Sequence, residues 1–272
     1  TPQTATYNAE DNGTNQMVFQ YTIQAGETDS DGISIGANAL ARPGSSTIRD
    51  AFGNDANLSH DEVSRNEEYK VDTTAPSVNS FTIDDTLFTV GETAPVTLRF
   101  SEAVTDFTNA DITVDNGSLS TMTSPSGDNI TWTGTFTPNP STEDATNTLS
   151  LAINSYTDLA GNNGPAAQTA NYGINTLGPT ISSVAITGES GIQNNFLNAE
   201  DNVSMTVTYS ETVILDNRSG SPTLTIVVGS DNRTATYTSG SNSDNLTFRY
   251  TIKSLNFSGE NDADGVSVGS GN

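Results

Sequence analysis

The stretch APVTLRF, residues 94–100, places an apolar side chain at every second position. Val96, Leu98 and Phe100 alternate with the polar residues Thr97 and Arg99. A spacing of two residues is typical of a β-strand with one buried face, because successive side chains of a strand point to opposite sides. The stretch therefore predicts a strand that is half buried in a small core.

Further segments between residues 77 and 174 carry strand signals, separated by Gly, Pro, Asn and Asp residues that favour turns. They are SVNSFTI (77–83), ADITV (110–114), SLSTM (118–122), NITWTGTF (129–136), NTLSLAI (147–153) and QTANYGI (168–174). With APVTLRF they make about seven short strands, a number and spacing that predict an immunoglobulin-like β-sandwich. No segment predicts a helix of convincing length, so the predicted fold class is all-β.

The composition limits the function classes. The chain has 272 residues, of which 9 are basic and 33 acidic, and its formal net charge is −24. We expect neither nucleic acid nor an anionic membrane as a partner, because both repel an acidic surface. No apolar run approaches the ~20 residues of a spanning helix, so direct membrane insertion is not expected. The chain has no cysteine, so stability outside a cell has to come from elsewhere, and metal binding is one candidate.

Internal repeats organise the chain. The repeated pairs are TATY at 4–7 and 234–237, MVFQYTI at 17–23 and LTFRYTI at 246–252, DSDGISIG at 29–36 and DADGVSVG at 262–269, and the linker-like VDTTAP at 71–76 and INTLGP at 174–179. They predict tandem immunoglobulin-like β-sandwich domains in an elongated array. In this prediction, residues 1–71 are the C-terminal part of a first repeat type, residues 72–174 a complete domain of a second type, and residues 175–272 the N-terminal part of the first type. The two end segments overlap in their middles, which favours a window on a longer array over a self-completing, swapped domain.

Several motifs carry a family resemblance. They are DTTAP at 72–76, RFSEAVTDFTNADITVDNGSLS at 99–120, WTGTFTP at 132–138 and EDATNTLSLAINSYTDLAGN at 143–162. Together they resemble the bacterial immunoglobulin-like repeats of giant surface adhesins and biofilm-associated proteins, and the flanking segments resemble another repeat of the same arrays. The resemblance implies a stalk of sandwiches that is exported to the cell surface and often rigidified by calcium. Asn175 stands where the pattern has Asp72, and LGP replaces TAP at the second linker.

Two acidic loops share the pattern E-x-D-x-D-G, namely ETDSDG at 27–32 and ENDADG at 260–265. An EF-hand loop spaces its first ligands in this way and has Gly at position 6. Position 12 would be Asn38 or Gly271 in place of Glu, and no helices flank the loops. Each loop is thus at most half of a cation site, and a solvated acidic turn remains the alternative.

Immunoglobulin topology suggests where the other ligands lie, because alternate loops gather at the same pole of a sandwich. At the first junction we expect Asp72 of the linker, Glu102 after the second strand, and Asp158 with Asn162 of TDLAGN to converge. The loop of the preceding segment is expected to face them with Glu27, Asp29 and Asp31. Oxygen ligands in this number suit Ca²⁺, which is therefore the predicted cofactor.

The second junction is expected to repeat this arrangement. Its predicted ligands are Glu143, Asp144, Asn175 and Glu211. The second copy lacks the IRDAFGN loop, whose candidate ligands in the first copy are Asp50 and Asn54. The second acidic loop offers Glu260, Asp262 and Asp264. A shared ion would stiffen a hinged linker, because carboxylates from both sides must gather on it.

Catalytic interpretations are weaker. His60 in LSHDEVS has an acidic neighbour, but no cysteine and no G-x-S-x-G elbow accompanies it, so a surface histidine is favoured. Acidic pairs could serve glycoside hydrolysis, yet here they lie on turns that repeat with the domains. Trp132 alternates with Ile130 and is expected in the core. We therefore predict no enzyme.

The sequence favours a structural extender segment of a secreted bacterial surface adhesin, located outside the cell or on its surface. Its expected partners are calcium and the neighbouring repeats of the same chain. One alternative is a segment of a self-assembling extracellular filament or biofilm matrix protein, in which copies of the chain contact one another. Another is a carbohydrate-binding accessory module, which would need an exposed aromatic platform.

Overall fold

The computed structural model describes residues 2–9, 16–229, 231–253 and 266–268. In this described part the regular structure consists of β-strands and one 3-10 turn at Asn109–Asp111, so the predicted all-β fold class is confirmed. None of the described residues form a helix long and apolar enough to cross a membrane. The chain divides into two compact units, residues 1–176 and 177–272.

The first unit begins with short ladders. The described residues up to Asp72 form β1 (Thr6–Asn8), β2 (Val18–Gln20), β3 (Thr28–Asp29), β4 (Ile33–Ile35), β5 (Val63–Asn66) and β6 (Val71–Asp72). Strand β1 pairs with β2, β3 with β6 and β4 with β5, all antiparallel. Strand β6 forms the start of the linker (residues 71–76) to the following sandwich.

The sandwich of the first unit follows this linker. Its strands are β7 (Val78–Ile83), β8 (Leu87–Phe88), β9 (Ala94–Phe100), β10 (Val104–Thr105), β11 (Ile112–Val114), β12 (Gly117–Leu119), β13 (Thr131–Pro138), β14 (Glu143–Asn147), β15 (Leu149–Leu151), β16 (Thr157–Asp158), β17 (Ala167–Gln168) and β18 (Tyr172–Asn175). The main sheet has the order β12-β13-β9-β7, and the other ladders are β14-β18-β8, β11-β15-β17 and β10-β16. Each segment predicted as a strand overlaps an observed one, whereas the short strands β8, β10, β14 and β16 were not predicted.

The alternating residues of β9 form the centre of the core. Val96, Leu98 and Phe100 are fully buried, as the spacing of two predicts. Phe136 of β13 packs edge-to-face against Tyr172 of β18, with ring centroids 5.0 Å apart, so the core joins the main sheet to the opposite ladder. Aromatic pairs in this geometry stabilise a core beyond the area that they bury.

The second unit is built on one sheet. Its strands are β19 (Ile181–Ser190), β20 (Asn202–Val213), β21 (Thr223–Val228), β22 (Asp231–Ser239), β23 (Ser243–Thr251) and β24 (Ser267–Val268), in the order β19-β20-β23-β22-β21-β24. Val203, Met205 and Val207 of β20 are buried in its core together with Phe248 and Tyr250 of β23.

The repeats found in the sequence have the same strand register in both units. Tyr7 lies opposite Phe19 in the β1–β2 ladder, and their counterparts Tyr237 and Phe248 lie opposite each other in the β22–β23 ladder. The ring centroids are 5.9 Å apart in the first pair and 6.1 Å in the second. The pairing of residues 6–7 with 19–20 is therefore repeated by residues 236–237 with 248–249.

Candidate functional site

The linker that leads into the sandwich is held as a strand. Thr28 pairs with Asp72 in the β3–β6 ladder. The Thr73 hydroxyl accepts a hydrogen bond from the Gly26 N–H at 2.8 Å and donates one to the Glu27 carbonyl at 3.0 Å. The linker is thus attached to the preceding loop through its backbone and a side chain, which fixes the position of Asp72.

A Ser-Glu pair follows strand β9, which ends at Phe100. The Ser101 N–H donates to the Ser77 carbonyl at 2.9 Å, and the Ser101 hydroxyl accepts from the Ser77 N–H at 2.9 Å. These reciprocal bonds fix the start of the sandwich against the end of β9. They place Glu102 beside the linker.

A tight turn follows strand β16 and runs from Asp158 to Asn162. One Asp158 carboxylate oxygen accepts the N–H groups of Ala160 at 2.8 Å and Asn162 at 2.9 Å, and the other accepts the Asn162 side-chain amide at 2.8 Å. Gly161 has a φ of 90°, a left-handed conformation that favours glycine. The turn therefore holds Asp158 in one orientation.

The same amide joins the turn to the linker. Asn162 Nδ2 donates to the Asp72 carbonyl at 3.1 Å and, more weakly, to the Thr74 carbonyl at 3.4 Å. In this structure the predicted ligand Asn162 thus positions its neighbours through its amide nitrogen.

These contacts bring three carboxylates together. Oxygens of Asp72, Glu102 and Asp158 all lie within 4.8 Å of one another, and we call this group the carboxylate cluster. Asp158 is 1% exposed, Glu102 is half-buried and Asp72 is exposed. None of the ion pairs among the described residues includes a member of the cluster.

The electrostatics of the cluster separate two of its members. Burial, together with repulsion by Asp158 and Asp72, raises the pKa of the Glu102 carboxyl. Burial also acts to raise the pKa of Asp158, but the hydrogen bonds from Asn162 and Ala160 outweigh it, and the net pKa is lowered. Asp158 therefore stays ionised, and the repulsion falls on Glu102.

The donor set fits a hard divalent cation. Its ligand atoms are carboxylate oxygens, which Ca²⁺ prefers and which tolerate variable geometry. Asp158 is pre-oriented by its turn, and Asp72 by a hydrogen bond from the Thr74 N–H at 2.9 Å. The three residues come from a linker, a strand end and a turn, so a cation held by them would join these three elements.

The acidic loop before the linker lies close in the chain but does not contribute its carboxylates to the cluster. Glu27 accepts hydrogen bonds from the Tyr21 hydroxyl and the Gln24 N–H. Asp29 accepts the N–H groups of Asp31 at 3.2 Å and Gly32 at 2.9 Å.

Asp31 forms an ion pair with Arg65. A side chain added at Gly32 would meet the Asn66 carbonyl at 2.1 Å. The glycine of the E-x-D-x-D-G pattern is therefore required for a close backbone approach. In this structure the three carboxylates stabilise their own turn, because its N–H groups and Arg65 take up their oxygens.

The second linker repeats the attachment of the first. Glu143 pairs with Asn175 as Thr28 does with Asp72. The Thr176 hydroxyl accepts from the Thr142 N–H at 3.0 Å and donates to the Asn139 carbonyl at 2.7 Å.

The remaining predicted ligands are placed separately. Asp144 accepts hydrogen bonds from Asn116 and Thr146. In the second unit, Ser210 forms the same reciprocal bonds with Thr180 that Ser101 forms with Ser77, and Glu211 follows it. Glu260, Asp262 and Asp264 lie outside the described residues.

Asp50 occupies a turn with the same hydrogen bonds as the Asp158 turn. It accepts the N–H groups of Phe52 at 2.9 Å and Asn54 at 2.8 Å, and the Asn54 amide at 2.8 Å. Gly53 also has a φ of 90°. The pattern D-x-x-G-N thus specifies one turn in both repeat types.

The residues considered for catalysis have structural contacts. His60 Nε2 accepts a hydrogen bond from the Ala39 N–H at 2.9 Å. Trp132 packs edge-to-face against Phe107, with centroids 4.9 Å apart, and donates to the Asn129 carbonyl. Trp132 therefore contacts the core, as its alternation with Ile130 predicts.

Sequence reasoning missed the residues that position the cluster. Thr73 and Ser101 carry these roles, and each has a counterpart at the second linker, Thr176 and Ser210. The recurring signal was a Thr at the same place in both linkers and a Ser-Glu pair after the same strand.

Comparisons with known proteins agree with this architecture. Residues 72–174 match the family model described as Bacterial Ig-like domain. Searches of curated proteins and of solved structures found no match. The matched family is structural and non-catalytic. The sandwich that carries the carboxylate cluster, residues 72–174 of this chain, is therefore a bacterial Ig-like domain.

Proposed function

We propose that this chain is a structural extender segment of a bacterial surface adhesin, in which calcium stiffens the junctions between Ig-like domains. Bacterial Ig-like domains typically occur in surface and extracellular proteins, and the family match supports a location outside the cell. The role is mechanical: the domains hold an adhesive module away from the cell, and no catalysis is involved.

The observation that carries the proposal is the carboxylate cluster. Asp72, Glu102 and Asp158 lie within 4.8 Å of one another with no cationic side chain among the described residues paired to them. Two like charges at 4 Å repel by ~1 kcal/mol in water and by ~4 kcal/mol near a protein surface. A bound divalent cation would turn this repulsion into attraction.

The expected affinity matches a location outside the cell. Extracellular modules typically bind Ca²⁺ with dissociation constants of ~10⁻⁴–10⁻³ M. Such a site fills in extracellular medium and empties at cytosolic calcium levels, so the junction would become rigid only after export.

The linker supports a stiff junction in its own right. Thr73 is bonded to the preceding loop and Ser77 to the following sandwich, which leaves Thr74, Ala75 and Pro76 between the two attachments. The Asn162 amide also donates to the Thr74 carbonyl. Few backbone torsions remain free, and a cation on Asp72 would restrict them further.

Thermal unfolding of the chain, in ~1 mM Ca²⁺ or in excess chelator, tests the cation. We expect Ca²⁺ to raise Tm, and Mg²⁺ to do so less, because Mg²⁺ demands a near-ideal octahedral site. An equal Tm in Ca²⁺ and chelator would refute the calcium role.

Small-angle scattering tests the extender role separately. An extender is a monomer at all concentrations, and its maximum dimension becomes better defined in Ca²⁺. Growth of the particles with protein concentration would favour the filament or matrix alternative, whatever the response to calcium.

A further inference from the structure

The segment before the linker exposes a row of large apolar side chains. Met17, Phe19, Tyr21 and Ile23 are 36–45% exposed, although they follow the spacing of two of a buried strand face. We call these four residues the open face. Exposed apolar rows of this kind usually mark a surface that another element covers.

The second unit shows what covers the same residues. Their counterparts, by the repeat MVFQYTI and LTFRYTI, are Leu246, Phe248, Tyr250 and Ile252, which are 4–6% exposed. Strand β20 pairs with β23 there, and its apolar side chains lie next to them in the same core. Val207 lies opposite Leu246, Met205 opposite Phe248, and Val203 opposite Tyr250.

A second strand of the first segment, β4, is also exposed although its counterpart in the second unit is packed. Ile33 and Ile35 in β4 are exposed. Their counterparts in the second repeat are Val266 and Val268, which pack against the core of the second unit. There β24 pairs with β21, and Val268 lies opposite Ile226.

Both observations identify one covering segment. The strands that cover the counterparts, β20 and β21, are consecutive in the chain and lie within residues 181–228. We propose that the open face and β4 are the docking surface for a polypeptide segment with the sequence pattern of residues 181–228, the N-terminal strands of a first-type repeat.

The register of the docked segment follows from the second unit. Its β20-like strand lies along β2, with the counterpart of Met205 opposite Phe19 and that of Val203 opposite Tyr21. Its β21-like strand lies along β4, with the counterpart of Ile226 opposite Ile35.

The covering segment has to be an additional one. In this chain β20 is already paired with β23, and β21 with β22 and β24. Docking of a second whole copy would displace these strands. Two copies meeting through their open faces would also bring together chains with a net charge of −24 each. The proposal does not depend on the cation.

The test uses the full chain and a chain in which a copy of residues 177–233 is fused directly before Thr4, which preserves the spacing of the repeat. Amide hydrogen exchange is measured at residues 17–23 and 33–35. We expect exchange in the fused chain to slow by at least about tenfold, because opening then requires unfolding of a completed sheet. Unchanged exchange would overturn the proposal.

Two variants within the added copy separate docking from a general effect. Met205→Asp places a charge at the buried contact, and we expect it to abolish the slowing. The control Thr225→Asp changes an exposed position of β21 and should leave the slowing intact. Equal effects of the two variants would contradict the predicted register.

Phe19→Asp tests the docking surface from the side of the open face. In the unfused chain this side chain is exposed, and we expect Tm to change little. In the fused chain the same substitution should lower the Tm of the completed repeat. A dimer of the unfused chain that protects residues 17–23 would mean that a second copy is the occupant, and would overturn the proposal.

Discussion

Replacing Glu102 by Gln should stabilise the domain in chelator and weaken its response to calcium. The change removes one charge of the carboxylate cluster and keeps the shape of the side chain. Glu102 faces two carboxylates within 4.8 Å, and each pair repels by ~1 kcal/mol in a water-like medium and by more near a protein surface. Glu102 is partly exposed and screened, so we expect a total relief of about 1–2 kcal/mol in chelator. For a domain of about 100 residues this raises Tm by about 5–10 °C.

In calcium this gain is offset. The substitution removes a charged ligand, so we expect affinity for Ca²⁺ to fall by about tenfold, which corresponds to a loss of about 1.4 kcal/mol of calcium-dependent stability. Calorimetric unfolding in chelator and in a calcium series measures both effects. The control Glu189→Gln neutralises an exposed carboxylate of the second unit. It should change neither the Tm in chelator nor the response to calcium.

Two results would refute this reasoning. A Tm that falls in chelator would mean that the Glu102 charge is stabilising, so that the cluster is not repulsive. An unchanged calcium response would remove Glu102 from the ligands. High salt should reduce the increase in Tm that Glu102→Gln causes in chelator, because salt screens the repulsion between the carboxylates.

The pH dependence in chelator follows from the same charge. The pKa of Glu102 lies above its ordinary value of 4.5. Its contribution to stability is therefore fully present below pH 4.5 and is lost as pH rises through the raised pKa. We expect the unfolding free energy to increase as pH falls from neutrality towards 4.5, and Glu102→Gln to remove this increase.

Three further outcomes are expected. The carboxylate of Asp158 accepts three hydrogen bonds, so Asp158→Ala should lower the unfolding free energy by about 2–3 kcal/mol in a denaturant titration. The pKa of Asp158 lies below its ordinary 3.8, so the wild type should lose this contribution only as pH falls through that lowered pKa. If the variant loses stability at acid pH in the same way as the wild type, the assignment is contradicted. Thr73→Val should speed exchange of the linker amides and cost about 1 kcal/mol, whereas Thr74→Val, at an exposed neighbour, should do neither. Phe136→Ala should destabilise the sandwich by about 3–5 kcal/mol, and Phe52→Ala, at a side chain that is 92% exposed, should leave Tm unchanged.

The strands of the sandwich could be predicted because burial alternates along them. Val96, Leu98 and Phe100 combine a strict spacing of two with complete burial. Three of the four strands that escaped prediction, Leu87–Phe88, Val104–Thr105 and Thr157–Asp158, have two residues each. Two residues cannot display a period, and pairing with a distant partner decides whether they are strands.

The carboxylate cluster could be anticipated in part for a topological reason. Asp72, Glu102 and Asp158 lie at element ends that share one pole of the sandwich, so strand direction places them near one another. The direction of a side chain within a turn is decided locally. Asp29 turns to the N–H groups of Asp31 and Gly32, and no pattern of acidic residues reveals such a choice.

The pairing of β18 with β8 has a mechanical consequence. These two strands lie near opposite ends of the sandwich sequence, yet they run parallel, with Gly173 opposite Leu87 and Ile174 opposite Phe88. Tension applied to the two ends of the domain pulls them in opposite directions along their common axis. The hydrogen bonds between them are then loaded in shear, all at once, and cannot be opened one after another as in a zipper. Under tension this ladder would therefore resist more than an antiparallel hairpin of the same length, in which the hydrogen bonds open one at a time.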